Sequence, residues 1–269
     1  MKKTYLLITA ALCAIFVVPI INEEFYPRQL SKSIQFLQKH GLDKKILLDY
    51  FPMQEKFWLH RADSVEKIRE KKDFYPGLEI DIQYHSKEKV FDVNHDWYDS
   101  VGLPLDLLLD ELSGGPKRIW LDYKNLQDGN AEESFQTLIG LLDKYGIKRE
   151  NVIVESPNFM ALNVFHEGGL YTSYYVPVND KRYIEEDDSR AEFVEKVREA
   201  VKSGNVDAVS FPDKYYNLVN QCNVDVDYLA WYTHNDHWFD AYLFKRLRVL
   251  KDDERVKGIL FKDTASVER

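Results

Sequence analysis

Cysteine is nearly absent: the 269-residue chain holds two, Cys13 and Cys222. Two cysteines cannot build a disulfide framework, and zinc held by clustered thiolates is excluded as well. Positive charge is also in short supply. Lys and Arg number 36 against 45 Asp and Glu, a formal charge of −9. Proteins that grip nucleic acid along its phosphates present a basic face, so nucleic acid is not an expected partner. The deficit still leaves room for a small anionic substrate, for which one local cation or metal suffices. Internal repeats, Pro-rich linkers and low-complexity tracts are missing too, so nothing divides the globular part into two domains.

One long apolar run opens the chain, "MKKTYLLITAALCAIFVVPIINEEF". It is uncharged from Thr4 to Ile21, near the lower limit of the roughly 17–25 residues of a membrane span. It is longer than the roughly 7–15 apolar residues of a signal-peptide core. No A-x-A site closes it, and Leu12 in front of Cys13 argues against lipoprotein cleavage. Residues 1–22 therefore read as an uncleaved anchor or as a cleaved signal peptide. Lys2 and Lys3 stay inside in the anchored case. The rest is expected to be exported: membrane-anchored and facing outside the cytoplasm, or secreted or periplasmic once cleaved. Residues 23–52 read as a helical lead-in, with Leu30, Ile34 and Leu37 at helical spacing before a break at Gly41. Residues 53–269 read as the globular domain.

Within that domain short β-rich runs alternate with amphipathic ones. Strands are predicted at 56–60, 77–83, 118–123, 151–155, 171–176, 207–211, 228–233 and 258–261. Helices are predicted at 64–71, 105–112, 132–145, 190–202 and 237–251, with Ser189 as an N-cap. An extra strand, "KVFDV", falls between the second and third main strands. Eight strands alternating with helices is the count of a (β/α)8 TIM barrel, an α/β fold, although periodicity alone does not separate it from an open doubly wound sheet.

The polar residues gather where these strands end. Glu79 and Asp81 stand two apart, hence on one face, with Ile80 and Ile82 on the other. His60 ends the first strand, and His95-Asp96 follows the extra strand. Asp122 and Lys124 end the third strand, Glu155 the fourth, Trp231 lies near the end of the seventh, and Lys262-Asp263 close the eighth. In a barrel these ends surround one mouth. Glu79, Asp81 and Asp122 are oxygen ligands suited to Mg²⁺ or Ca²⁺. Two histidines with acidic neighbours suit proton transfer near neutral pH, and Lys124 adds a fixed cation. That set meets the needs of phosphodiester cleavage. The bland alternative is a salt-bridge network of Glu79 and Asp81 with Arg61 and Lys124, a costly arrangement when buried. Arg61 either anchors a phosphate or closes such a bridge, and Asp96 either caps a turn or orients His95.

The segments "WLHRADS", "GLEIDIQYH" and "FDVNHD", with "LDYK" and "VKGILFKD" after them, resemble the glycerophosphodiester phosphodiesterase and PI-PLC-like phosphodiesterase superfamily. The pattern is closest to its menorin-like branch, and the Asp-x-Lys pair resembles sphingomyelinase D. The resemblance runs from Phe57 to Asp263. It implies His60 and His95 as the acid–base pair and Glu79, Asp81 and Asp122 as ligands of one divalent cation. It implies Lys124 on the phosphate and Trp231 in the substrate wall; Arg61 and Glu155 are further candidates for substrate binding, Glu155 alternatively a hydrogen-bonding residue of the barrel mouth. The expected substrate is a small phosphodiester or a lipid headgroup. One departure stands out: "ADSVEK" replaces the Glu-Asn-Thr segment that usually follows His-Arg in glycerophosphodiesterases. The alternatives are a non-catalytic menorin-like barrel that binds a lipid headgroup, glycan or protein, and a hydrolase of another ester or glycoside.

Overall fold

The computed structural model describes residues 55–96, 100–113, 118–178, 186–232 and 241–263, with five further positions between 35 and 41. The apolar N-terminal run, nearly all of the lead-in, and Thr233, His234 and His237 lie outside the described residues. Among the described residues no helix is long and apolar enough to cross a membrane.

In chain order the strands are β1 (Phe57–His60), β2 (Gly77–His85), β3 (Val90–Val93), β4 (Arg118–Tyr123), β5 (Val152–Ser156), β6 (Tyr171–Tyr175), β7 (Ala208–Pro212), β8 (Asp227–Trp231) and β9 (Val256–Lys262). The helices between them are α1 (Val65–Lys71), α2 (Leu105–Leu112), α3 (Asp128–Lys144), α4 (Asn163–Glu167), α5 (Asp187–Lys202), α6 (Tyr216–Gln221) and α7 (Ala241–Asp252). The sheet order is β1-β9-β8-β7-β6-β5-β4-β2-β3, and β1 also pairs with β2. That last pairing closes the ring. Eight parallel strands form the barrel, and β3 stands outside it as an antiparallel hairpin partner of β2. The chain is thus a TIM barrel, as its strand count predicts. The short helices α4 and α6, of five and six residues, carry too few turns to leave a period in the sequence. Ser189 is not an N-cap. Helix α5 begins three residues earlier than expected, after Glu186, and the Ser189 hydroxyl donates to the Glu186 carboxylate at 3.2 Å.

Local chemistry sets the element ends. Ser64 caps α1, its Oγ accepting the Lys67 N–H at 3.1 Å. Gln127 and Asn130 form a reciprocal capping box on α3. Gly146, at φ +62°, turns the chain out of α3 in the left-handed region where glycine is favoured.

Two apolar layers hold the barrel. The outer one packs helices such as Leu105-Leu108-Leu109-Leu112 of α2 against outward-facing strand residues such as Ile80 and Ile82. The inner one is a plug of Trp58, Trp120, Ile153, Ala208, Leu229 and Leu260. In it the Trp58 and Trp120 rings meet edge to face, 6.4 Å between centroids. The plug needs Gly77, because a Cβ there would stand 2.4 Å from the Trp58 indole. Gly77→Ala is therefore expected to destabilise the chain by about 1–3 kcal/mol, the usual range for overpacking a core. Urea unfolding of the variant checks this, and a midpoint equal to that of the native chain would contradict it.

Candidate active site

The strand ends above the plug enclose one cavity of about 290 Å³, lined by His60, Arg61, Glu79, Asp81, His95, Asp122, Lys124, Glu155, Tyr175, Trp231, Tyr232, Leu260 and Lys262. The nine residues singled out as catalytic, substrate-binding or metal-ligating are among them; Asp96 and Asp263, also placed at the strand ends, are not. Strand register explains the convergence. Glu79 and Asp81 alternate inward along β2, and Asp81 lies beside Asp122, which lies beside Glu155 on the next strand. The four carboxylates are thus brought together, Glu79 and Asp81 by alternation along β2 and Asp122 and Glu155 by parallel pairing.

The turn after β1 supplies a second tie. Arg61 stands at φ +53°, a left-handed backbone uncommon in residues other than glycine and worth about 1–3 kcal/mol of strain. That turn aims its backbone N–H at Glu79 Oε2 (2.7 Å), and the next N–H, of Ala62, at the Glu79 carbonyl (2.7 Å). Asp63 completes the clamp by accepting the Asp81 N–H at 3.0 Å. Asp63 carries no pattern in the sequence that marks it; its place is set by the turn alone. His95 is presented by the return from β3, where the Asn94 N–H donates to the Asp81 carbonyl (3.1 Å) and Gln83 Nε2 donates to the Asp96 carbonyl (2.5 Å). Asp96 meets His95 Nδ1 at 3.0 Å, the contact that its orienting role requires. The other ring nitrogen, Nε2, lies 2.6 Å from the Arg61 guanidinium.

Electrostatically the cavity is overloaded with carboxylates. Burial, then Asp81, Asp63 and Asp122, hold the Glu79 carboxyl well above its ordinary range. Burial and Asp122 do the same to Glu155, and burial raises Asp122. Asp81 is held low despite its burial, because Lys124 sits 2.7 Å from Oδ1. Lys124 also ion-pairs with Asp122, and its own ammonium is held protonated by those two acids and Glu79. His60 goes the other way. Burial and the neighbouring Arg61 bring it down to about 3, so it is neutral at working pH.

A divalent cation fits this set. The nearest oxygens of Glu79, Asp81 and Asp122 all lie within 4.8 Å of one another. Two oxygens bound to one Mg²⁺ or Ca²⁺ at about 2.0–2.6 Å can stand no further apart than about 5 Å. Glu79 Oε1 and Asp81 Oδ2 are buried and accept no hydrogen bond, a condition that native structures rarely tolerate without a partner.

The strand predicted at 171–176 brings one residue to the site that its pattern does not announce. Tyr175 faces inward, lines the cavity and stacks on Trp231 at 4.9 Å and 17°. Nothing in the local pattern marks it, since the strand is aromatic on both faces. Asp263 turns away from the mouth: it is fully buried, accepts from Tyr75 Oη at 2.8 Å and pairs with Lys71 at 3.3 Å.

No protein-family model matches the chain, and no curated protein matches it in sequence. Solved structures do match. A glycerophosphodiester phosphodiesterase from Parabacteroides distasonis is similar at a TM-score of 0.53 and 12% identity, over 78% of this chain and 93% of that one. An Oleispira antarctica phosphodiesterase in complex with the product sn-glycerol-3-phosphate is similar at 0.51 and 14%, again over 78% and 93%. At such identities the likeness is one of fold: this chain shares the closed (β/α)8 barrel of these phosphodiesterases.

Proposed function

We propose that the chain is a metal-dependent phosphodiesterase acting on a small phosphodiester, of the glycerophosphodiester or phospholipid-headgroup kind. The observation that carries this reading is the convergence, in one cavity at the C-terminal mouth of the barrel, of three cation-ready carboxylates with two imidazoles and three cationic side chains. The fold neighbours support it, one of them holding sn-glycerol-3-phosphate. The His-Arg, Glu-x-Asp and His-Asp segments support the finer assignment to the menorin-like branch, and Asp-x-Lys supports the sphingomyelinase D-like feature.

Glu79, Asp81 and Asp122 would hold Mg²⁺ or Ca²⁺, which when bound polarises a phosphoryl oxygen. Lys124 and Arg61 contribute positive charge to the remaining oxygens, with Arg61 leaving His95 Nε2 for the phosphate. His60, neutral through burial, accepts the proton of the attacking hydroxyl, from water or from the substrate itself, as the new O–P bond forms. His95, with Asp96 on its Nδ1, gives a proton to the leaving oxygen as the old O–P bond breaks. Trp231, stacked on Tyr175, walls the side on which the alcohol portion sits, and Glu155 lies on the cavity floor. The reading includes export: the paired lysines and the apolar run to Ile21 support an anchor or signal segment.

Cleavage of bis(4-nitrophenyl) phosphate by the full chain tests the reading. Release of nitrophenol is expected with Mg²⁺ or Ca²⁺ and is expected to stop in EDTA. No release with either ion, or release that persists in chelator, would refute it.

A further inference from the structure

The cavity has three long cationic side chains, and two of them are already matched. Lys124 is paired with Asp81 and Asp122, and Arg61 with His95 and, at 3.8 Å, Asp81. The third, Lys262, meets no carboxylate among the described residues. It is nevertheless an inward position. Gly258, Leu260 and Lys262 alternate along β9, with Gly258 facing the indoles and Leu229 of the plug and the other two lining the cavity.

Its neighbours define what it can serve. Around the mouth the charged sector runs from β1 through β2 and β4 to β5, and an aromatic sector of Tyr175, Trp231 and Tyr232 faces it from β6 and β8. The Trp231 ring rests on Tyr175, and Tyr232 stacks on Phe261 at 5.9 Å and 20°. Lys262 sits where these sectors meet. Leu260 precedes it on the aromatic side, and on the other side it is in register with His60, one strand spacing of about 4.8 Å away. With a phosphate in the charged sector, the aromatic wall and the exposed Lys262, which meets no carboxylate among the described residues, stand on the side left for an alcohol portion.

We propose that Lys262 selects phosphodiesters whose alcohol portion carries a second anionic group, a carboxylate or a phosphate monoester, close to the scissile phosphate. The proposal rests on the phosphodiesterase reading for the identity of the first phosphate. Lys262 acts here as a specificity-determining residue, giving the second anion one charge-assisted hydrogen bond beside an apolar wall.

Calorimetric titration of the full chain in Mg²⁺ with three probes tests it: sn-glycerol 3-phosphate, 3-phosphoglycerate (its carboxylate counterpart) and glycerol 1,3-bisphosphate. The native chain is expected to bind one or both of the two-anion probes about 10- to 100-fold more tightly than sn-glycerol 3-phosphate, the worth of one hydrogen bond to a charged group. Preference for 3-phosphoglycerate identifies a carboxylate, and preference for the bisphosphate a phosphate. Lys262→Met is expected to remove the preference, and Lys262→Arg to keep it. Lys257→Met, on the same strand at the other end of the barrel, is expected to keep it as well. Equal affinity for all three probes, no binding of any, or a preference that survives Lys262→Met would overturn the proposal. These readouts need no turnover. A chain that fails to cleave bis(4-nitrophenyl) phosphate loses the phosphodiesterase reading, and the Lys262 result is then read on its own.

Discussion

Asp81→Asn is expected to abolish the rise in melting temperature that millimolar Mg²⁺ or Ca²⁺ gives the native chain. A cation bound only by the folded state stabilises it by RT ln(1 + [L]/Kd), about 2.7 kcal/mol at a hundredfold excess over Kd. For a domain of this size that corresponds to a shift of about 5–10 °C. Asp81 is central because its carboxylate is the one held charged, by Lys124 at 2.7 Å, and because its Oδ2 is buried without a hydrogen bond. The amide keeps the shape and one acceptor for Lys124 but removes the charge, so the fold should persist while the cation is lost.

The pH dependence of the same shift has a definite sign. Glu79 and Asp122 are held above their ordinary values, chiefly by burial. The cation binds their deprotonated forms, so binding releases protons and tightens as pH rises. In the absence of cation the sign is opposite. Above the ordinary value of 4.5 the folded chain keeps the Glu79 proton that the unfolded chain has lost, which makes stability fall with rising pH until the raised folded value is passed. His60 opposes this only between about 3 and its ordinary 6.5, where the unfolded chain binds the extra proton. The cation-induced shift is thus expected to be small near pH 5 and to grow toward pH 8. A shift that is flat with pH, or one retained in Asp81→Asn, would leave the three acids without a cation to hold.

The barrel is legible in the sequence because its strands alternate inward and outward over distinct partners. Ile80 and Ile82 meet apolar helices while Glu79 and Asp81 meet the axis, and that contrast survives as a period of two. β4 and α2 begin and end where the pattern places them. Most other boundaries move by one or two residues, because the terminal residue of an element is fixed by a cap or a ladder bond and not by hydrophobicity. Site residues separated by fixed spacing were readable for the same reason. Tyr175 was not, because tyrosines on both faces, Tyr171 inward and Tyr174 outward, leave no contrast. Asp63 was not either. It reaches the site through the left-handed backbone at Arg61, and an arginine does not advertise a turn that glycine would. Asp263 misled in the other direction: its place beside Lys262 suggested the mouth, and only the buried Lys71 and Tyr75 show which way it faces.

His60→Ala and His95→Ala are each expected to lower turnover of a glycerophosphodiester by about 10²–10⁴-fold, the usual contribution of a positioned acid or base, without removing the cation-induced rise in melting temperature. Their environments make the two losses different in kind. His60 is buried against Glu79, 3.7 Å from Oε2, and its depressed proton affinity means that lowering the pH to 5 does not charge it. Its removal takes away the group that receives the nucleophile's proton, whatever the leaving group. His95 is half-exposed and held by Asp96 and Arg61, and its task is to protonate the departing oxygen. Nitrophenolate needs that proton far less than an alkoxide does, because a stable leaving anion gains little from general-acid help. The His95→Ala loss should therefore be much larger on a glycerophosphodiester than on the nitrophenyl ester, whereas the His60→Ala loss should be similar on both. Comparing kcat for the two substrates in the two variants decides the matter. Equal sensitivity to the leaving group in both variants would remove the division of labour, and unchanged turnover in both would remove the histidines from the chemistry altogether.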